Sequence, residues 1–203
     1  MLPASTGDCA APHCRGHNTL RANGFAEWLH YGRFFYGWSF TELGQLEHGI
    51  AEMEAAVAGF RQMGGMANQQ YAMALLAFSY GKIGRIPKAL EKLDECLATI
   101  ELMGEKLAYS EVLRLKGELL LMHDVDATED AEPCFRRALD VARAQEAKWW
   151  ELRSSVSLAR LLRDTNRRDE ARTLLTEIYN WFTEGFDLPD LQDARSLSEE
   201  LRA

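Results

Sequence analysis

Apolar residues recur along this chain three and four positions apart, the period of a helix buried on one side. Four stretches share one order: RFFYGWSFTELGQLEHGIAEM, MALLAFSYGKIGRIPKALEKL, LRLKGELLLMHDVDATEDAEPCF and SVSLARLLRDTNRRDEARTLL. Each has a small residue (Gly37, Ala77, Gly117, Ala159) and a large one three positions later (Phe40, Tyr80, Leu120, Leu162). After a turn comes a second small residue (Gly49, Ala89, Ala131, Ala171), with a large one four beyond it (Met53, Leu93, Phe135, Leu175). From Gly49 to Ala89 is 40 residues, from Ala89 to Ala131 is 42, and from Ala131 to Ala171 is 40. Only the third copy carries extra residues, near MHDVDATED. Two antiparallel helices pack closely where one presents a small side chain, and a large residue one turn further along fills the neighbouring hole.

The expected elements are all helical. A helices are predicted over 24–43, 68–83, 106–123 and 147–164, B helices over 46–63, 86–102, 129–145 and 168–184, and a last helix over 188–202. The copies then run 24–63, 68–102, 106–145 and 147–184, within a repeat region of 20–203 behind a disordered leader, 1–19. Pro133 conflicts with its B helix, because proline fits only a first turn; the helix is expected to start late, capped by Asp130, or to kink.

The code small-x-x-large, turn, small-x-x-x-large resembles the tetratricopeptide repeat (TPR), whose helix pairs stack into a solenoid. Copy two carries it best, with Leu76, Ala77, Tyr80, Gly84, Ala89 and Leu93. The period near 40 exceeds the ~34 of the standard unit, so longer helices or larger loops are expected. HEAT-type repeats share the period but not the small/large code. The expected fold is thus an all-α, TPR-like solenoid of about four helix pairs with a C-terminal capping helix. Further phrases, LRLKGELLL, CFRRALDVARAQEAKWWELRSSVSLARLL, IYNWFTEGFDLPDLQDARSLSEEL and GWSFTELGQLEHGIAEM, resemble the C-terminal repeat region of large bacterial proteins. Those proteins join a class III adenylate or guanylate cyclase domain, a P-loop ATPase and a TPR tail. The resemblance implies a regulatory or partner-binding tail, and it carries no catalytic residue onto this chain.

Composition narrows the function classes. A formal charge of −8 disfavours nucleic acid, which needs a dense basic surface. No apolar run reaches the roughly 18 residues of a membrane span. The cysteines, Cys9, Cys14, Cys96 and Cys134, show no disulfide framework, which favours a reducing cytoplasm. The chain has no G-x-x-x-x-G-K-[ST], G-x-G-x-x-G or H-E-x-x-H motif, so neither enzyme activity nor cofactor is expected. MGGM (63–66) reads as an inter-repeat loop, and DVDATED (124–130) as a solvated loop without the EF-hand pattern. Cys96 and Cys134 read as small core fillers. Cys9, His13, Cys14 and His17 lack the separated knuckles of a structural zinc site and fall in the leader. His30, His48 and His123 are expected near helix surfaces, without a role.

Partner binding is expected on the A-helix face, at positions six before, three before, one after and four after the small residue. Copy one supplies Tyr31, Phe34, Trp38 and Thr41; copy two Tyr71, Ala74, Phe78 and Gly81. Copy three supplies Glu111, Arg114, Glu118 and Leu121; copy four Arg153, Val156, Arg160 and Arg163. An aromatic first half and a basic second half suit an acidic or C-terminal-carboxylate peptide with an apolar anchor. The alternative is that the arginines pair with glutamates of neighbouring helices. The first repeat lacks a cap, so an exposed aromatic patch is expected there, able to bind a missing domain or a second copy.

The phrase NWFTEGFDLPDL is expected to join the last two helices. Gly185 would end the B helix in a Schellman motif pairing Trp181 with Phe186, Asp187 would cap the next helix, Asp190 would take the capping-box position, and Leu191 would staple to Phe186.

Overall fold

The computed structural model describes residues 26–62, 69–104 and 106–202, and among these it holds nine helices and no strand. They are α1 (Ala26–Glu42), α2 (Leu46–Gln62), α3 (Gln69–Lys82), α4 (Ile86–Met103), α5 (Tyr109–His123), α6 (Thr128–Ala144), α7 (Lys148–Asp164), α8 (Arg168–Tyr179) and α9 (Pro189–Glu200). The expected leader, with its Cys/His cluster, and the MGGM loop lie outside the described residues. The chain divides into two compact units, one ending at Gln69 and one from Gln70 onward.

In the first unit α1 and α2 form one helix pair. A Cβ on Gly37 would stand 2.7 Å from the Gly49 carbonyl oxygen and 2.9 Å from Met53 Cγ, so two glycines let the backbones touch. Gly59 leaves the space that the His30 imidazole fills, with its ring edge-on to Phe60; His30 is therefore half-buried, and the surface position expected for it is corrected.

In the second unit A and B helices alternate from α3 to α8, and α9 closes the end against α7 and α8. Gly117 faces the fully buried Phe135 ring, where a Cβ would stand 2.5 Å from Cε1. The first small residue is glycine where the large partner is Met53 or Phe135, and alanine where it is Leu93 or Leu175. Ala77, Ala159 and both leucines are fully buried. The terminal core gathers Leu152, Leu158 and Leu162 with Leu175, Leu191 and Leu197.

The A-to-B turns share one device. Gly44, Gly84 and Asn166 occupy the middle of a three-residue turn with φ of 81°, 78° and 62°. The next residue's N–H reaches five residues back, as Gln45 to Phe40 O, Arg85 to Tyr80 O and Arg167 to Leu162 O. These are the bonds of a Schellman motif. The third turn, 124–127, has one residue more and no left-handed residue, so the extra length replaces the strained corner.

Three local expectations are corrected. α6 begins at Thr128 with Ala127 at its N-cap and runs through Pro133, so it neither starts late nor uses Asp130 as a cap. Proline costs one backbone bond there, to the Glu129 carbonyl, at an exposed position. α8 ends at Tyr179, five residues before the expected 184. Cys96 is core, and burial pushes its thiol up to about 12; Cys134 is only half-buried, its thiol facing the Asp130 carbonyl at 3.5 Å.

Candidate functional site

The A-helix face of the second unit holds a cleft of about 300 Å³. Phe78 of α3, Arg114 and Glu118 of α5, Leu152, Arg153, Val156, Ser157 and Arg160 of α7, and Asp190 and Asp193 of α9 line it. Six predicted partner-binding residues thus converge: Phe78, Arg114, Glu118, Arg153, Val156 and Arg160. They converge because the repeat returns each A helix to the same side.

Of the charged side chains that line the cleft, Arg114 is the most buried, with 8% of its surface exposed. Its Nε and Nη2 donate to the two oxygens of the buried Glu111 carboxylate at 2.8 and 2.9 Å. Its Nη1 donates to Glu118 and to Ser157 Oγ, both at 3.2 Å, and Ser157 donates on to Glu118 at 2.6 Å. Burial disfavours the Arg114 charge, but the Glu111 carboxylate and its hydrogen bonds outweigh it and hold the guanidinium pKa above its ordinary value. Such bidentate pairing is what guanidinium geometry favours in a poorly hydrated place.

Arg153 is held from three sides. Its Nη1 lies 2.9 Å from Glu111, its guanidinium stands 5.6 Å from the Trp150 ring, and its charge faces the Tyr71 phenol. Tyr71 lies beside the cleft, and burial, then the Glu111 charge, raise its phenol pKa. On its outer side Arg153 Nε faces Asp190 at 3.9 Å. Arg160 is hydrogen-bonded to Asp193, and Arg163, just outside the cleft, pairs with Asp164 at 2.8 Å and Glu200 at 2.7 Å.

The expected basic groove is therefore corrected: three arginines line the cleft, and so do three carboxylates, two of them from α9. These acids lie too far along the chain for helical periodicity to pair them; Arg160 and Asp193 are 33 residues apart. The amphipathic pattern of the last helix was the signal that it docks on α7.

The copy-one residues belong to the first unit. Phe34, expected to face a partner, is 1% exposed and belongs to the core, edge-on to Phe35. The same three-before row is buried in every copy (Phe34, Ala74, Arg114, Val156), because it faces neighbouring helices. Tyr31 is half-buried against Trp28 and Phe60, and Trp38 is half-buried; Trp28 and Phe35 are exposed.

The joint is also built differently. Gly185 is left-handed, with φ 78°, but lies in the linker, six residues past the end of α8. Trp181 and Phe182 turn aside, with Phe182 edge-on to Trp149 at 5.7 Å, and Phe186 meets Tyr179 rather than Trp181. Leu188, not Asp187, is the N-cap, and Asp187 uses its carbonyl to accept from Gln192 Nε2. With Pro189 at the first helical position, Asp190 falls one short of the capping-box place, and its carboxylate faces Arg153 instead. Gly185 approaches Leu188 and Leu191, so these leucines take the place given to a Phe186–Leu191 staple.

Stacked helix pairs with small residues at their crossings, a cap and a cleft on the A-helix face define a TPR-like helical-repeat fold. Solved structures agree. The chain is similar to the nearly identical TPR-like repeats of a Podosopora anserina putative kinesin light chain, with TM-score 0.61 and 16% identity over 87% of this chain and 94% of that one. A single-residue variant of that repeat protein matches with TM-score 0.57 and 17% identity, over the same shares. No family model matches the chain. No curated protein matches it.

Proposed function

We propose that this chain is a non-enzymatic interaction module that takes a peptide or a partner domain in the cleft between α3, α5, α7 and α9. TPR-like folds commonly bind proteins on their repeat surface. The observation that carries the reading is the cleft itself: side chains from three A helices and the capping helix meet over an apolar floor of Phe78, Leu152 and Val156. The buried Arg114 and half-buried Arg153, with fixed partners, give such a site orientation, and the floor gives it an anchor pocket. Self-association belongs to the same reading, through the exposed Trp28 and Phe35 of the first repeat. Among the described residues no helix is long and apolar enough to cross a membrane. A cytoplasmic protein without nucleic-acid partners fits the cysteine usage and the charge of −8.

The test is capture from native cell extract on the immobilised chain, compared with Phe78→Ser and Arg153→Glu variants. A partner that binds the parent and is lost from both variants supports the cleft. Equal capture by all three overturns it. Light scattering reads self-association, and a monomer at every concentration removes that part.

The phrases of 134–162 and 178–201 favour a second reading, the regulatory tail of a class III cyclase joined to a P-loop ATPase, active only with those domains. The purified chain mixed with ATP is then expected to yield neither cyclic nucleotide nor hydrolysis. Turnover by the chain alone would sink both readings.

A further inference from the structure

The charges of the cleft specify more than a binding face. Three arginines and three carboxylates line it, so it offers no net field to a polyanion. The α9 acids already sit on the outer arginines, Asp193 on Arg160 and Glu200 on Arg163. The Arg153–Asp190 pair differs. At 3.9 Å it is beyond hydrogen-bonding distance, and its side chains are 29% and 37% exposed. Arg153 is fixed from behind by Glu111 and Trp150, so it cannot swing away to close the gap without losing those contacts. Beside this open pair lie Phe78, Leu152 and Val156.

Resting on the cleft reading above, we infer that the partner segment is bipolar: it carries one acidic and one basic side chain flanking an apolar one. The acid takes the outer N–H groups of Arg153, the base takes the Asp190 carboxylate, and the apolar side chain enters beside Phe78. A purely acidic segment brings its second charge against Asp190 and Asp193, and a purely basic one brings it against Arg153 and Arg160. Selectivity follows from these like-charge encounters as much as from the new pairs.

The full chain is titrated with three fluorescent heptapeptides, each blocked at both ends so that only side chains carry charge. All have a central leucine; one flanks it with Glu and Lys, one with two Glu, one with two Lys. The Glu/Lys peptide is expected to bind at least about tenfold tighter than either of the others. An Asp190→Lys variant is expected to transfer the preference to the two-Glu peptide, and Asp190→Asn to weaken the Glu/Lys preference while keeping the fold. A two-Glu peptide that binds the parent as tightly as the Glu/Lys one overturns the bipolar inference and leaves the cleft reading standing. Absence of binding by all three overturns the cleft reading, and this inference with it.

Discussion

The pairing of small with large residues at the helix crossings predicts a reciprocal pair of substitutions. In α5, Gly117→Ala gains about 1 kcal/mol of helix propensity. Against this, the new Cβ meets three atoms of the Phe135 ring, at 2.5, 2.8 and 2.9 Å. Favourable carbon–carbon contact needs roughly 3.5–4.0 Å, so the ring must move by about an ångström. Phe135 is fully buried and its neighbours Ala131 and Leu139 belong to the same core, so it has little room to do so. Overpacking of this kind costs about 1–3 kcal/mol. The steric loss matches or exceeds the gain, and Gly117→Ala is expected to destabilise by up to about 2 kcal/mol net of propensity. Phe135→Leu alone leaves a void and is expected to cost a similar amount, about 1–2 kcal/mol. Together they reproduce the Ala/Leu pairing of copies two and four, so the double variant should recover at least about 1 kcal/mol over additivity. Urea unfolding followed by circular dichroism measures this, with the slope checked in each variant because repeat arrays can lose two-state behaviour. A double variant additive within about 0.5 kcal/mol, or a Gly117→Ala chain more stable than its parent, refutes the packing reasoning.

Three further predictions concern the second unit. Glu132 and Arg136 of α6, Arg167 at the N-cap of α8 and Glu170 of α8 form a closed ring of ion pairs, with contacts of 2.6–2.7 Å. Burial raises the Glu132 carboxyl, but hydrogen bonds from Arg167 and Arg136 outweigh it and leave it below the usual carboxylate value, so its stabilisation is complete above that range and fades as pH falls through its own lowered pKa. Urea midpoints between pH 5 and about pH 3 should fall less steeply in Glu132→Gln than in the parent; parallel curves would remove the ring's role. Pro133→Ala restores a backbone bond inside α6 and should stabilise by up to about 3 kcal/mol, read as a higher urea midpoint, and a lowered midpoint would mean that proline's stiffening of the unfolded chain dominates. Gly185→Ala forces a side chain onto a backbone at φ 78° and brings its Cβ to 3.2 Å from Leu188, so about 1–2 kcal/mol should be lost, with faster amide exchange in α9 read by mass spectrometry.

Helix order and repeat register were legible because both depend on local pattern. Gly37, Gly49 and Gly117 stand where a backbone or a ring lies within 2.5–2.7 Å of the place a Cβ would take, so a larger residue forces its neighbour to move. The face carrying Phe78, Arg114, Arg153 and Arg160 was legible for the same reason. Its electrostatics were not, since Asp190 and Asp193 come from a helix whose docking is tertiary. The end of α8 escaped because the pattern of NWFTEG stays apolar past Tyr179. Packing of Phe182 on Trp149, 33 residues earlier, turns the chain instead. The Schellman turn was expected at Gly185, but such turns occur at Gly44, Gly84, Glu146 and Asn166, each in the middle of a three-residue connection.

The longer third turn has a use outside the native protein. Residues 124–127 join α5 to α6 without a left-handed corner, and Val125 at its tip is 77% exposed. The two-residue excess of this copy is absorbed without disturbing the meeting of Gly117 and Phe135. Exposed tips of this kind accept insertions. A tag, a protease site or a reporter domain spliced between Val125 and Asp126 would leave the repeats in register and the cleft open, and would give an engineer a handle on the array at its middle rather than its ends.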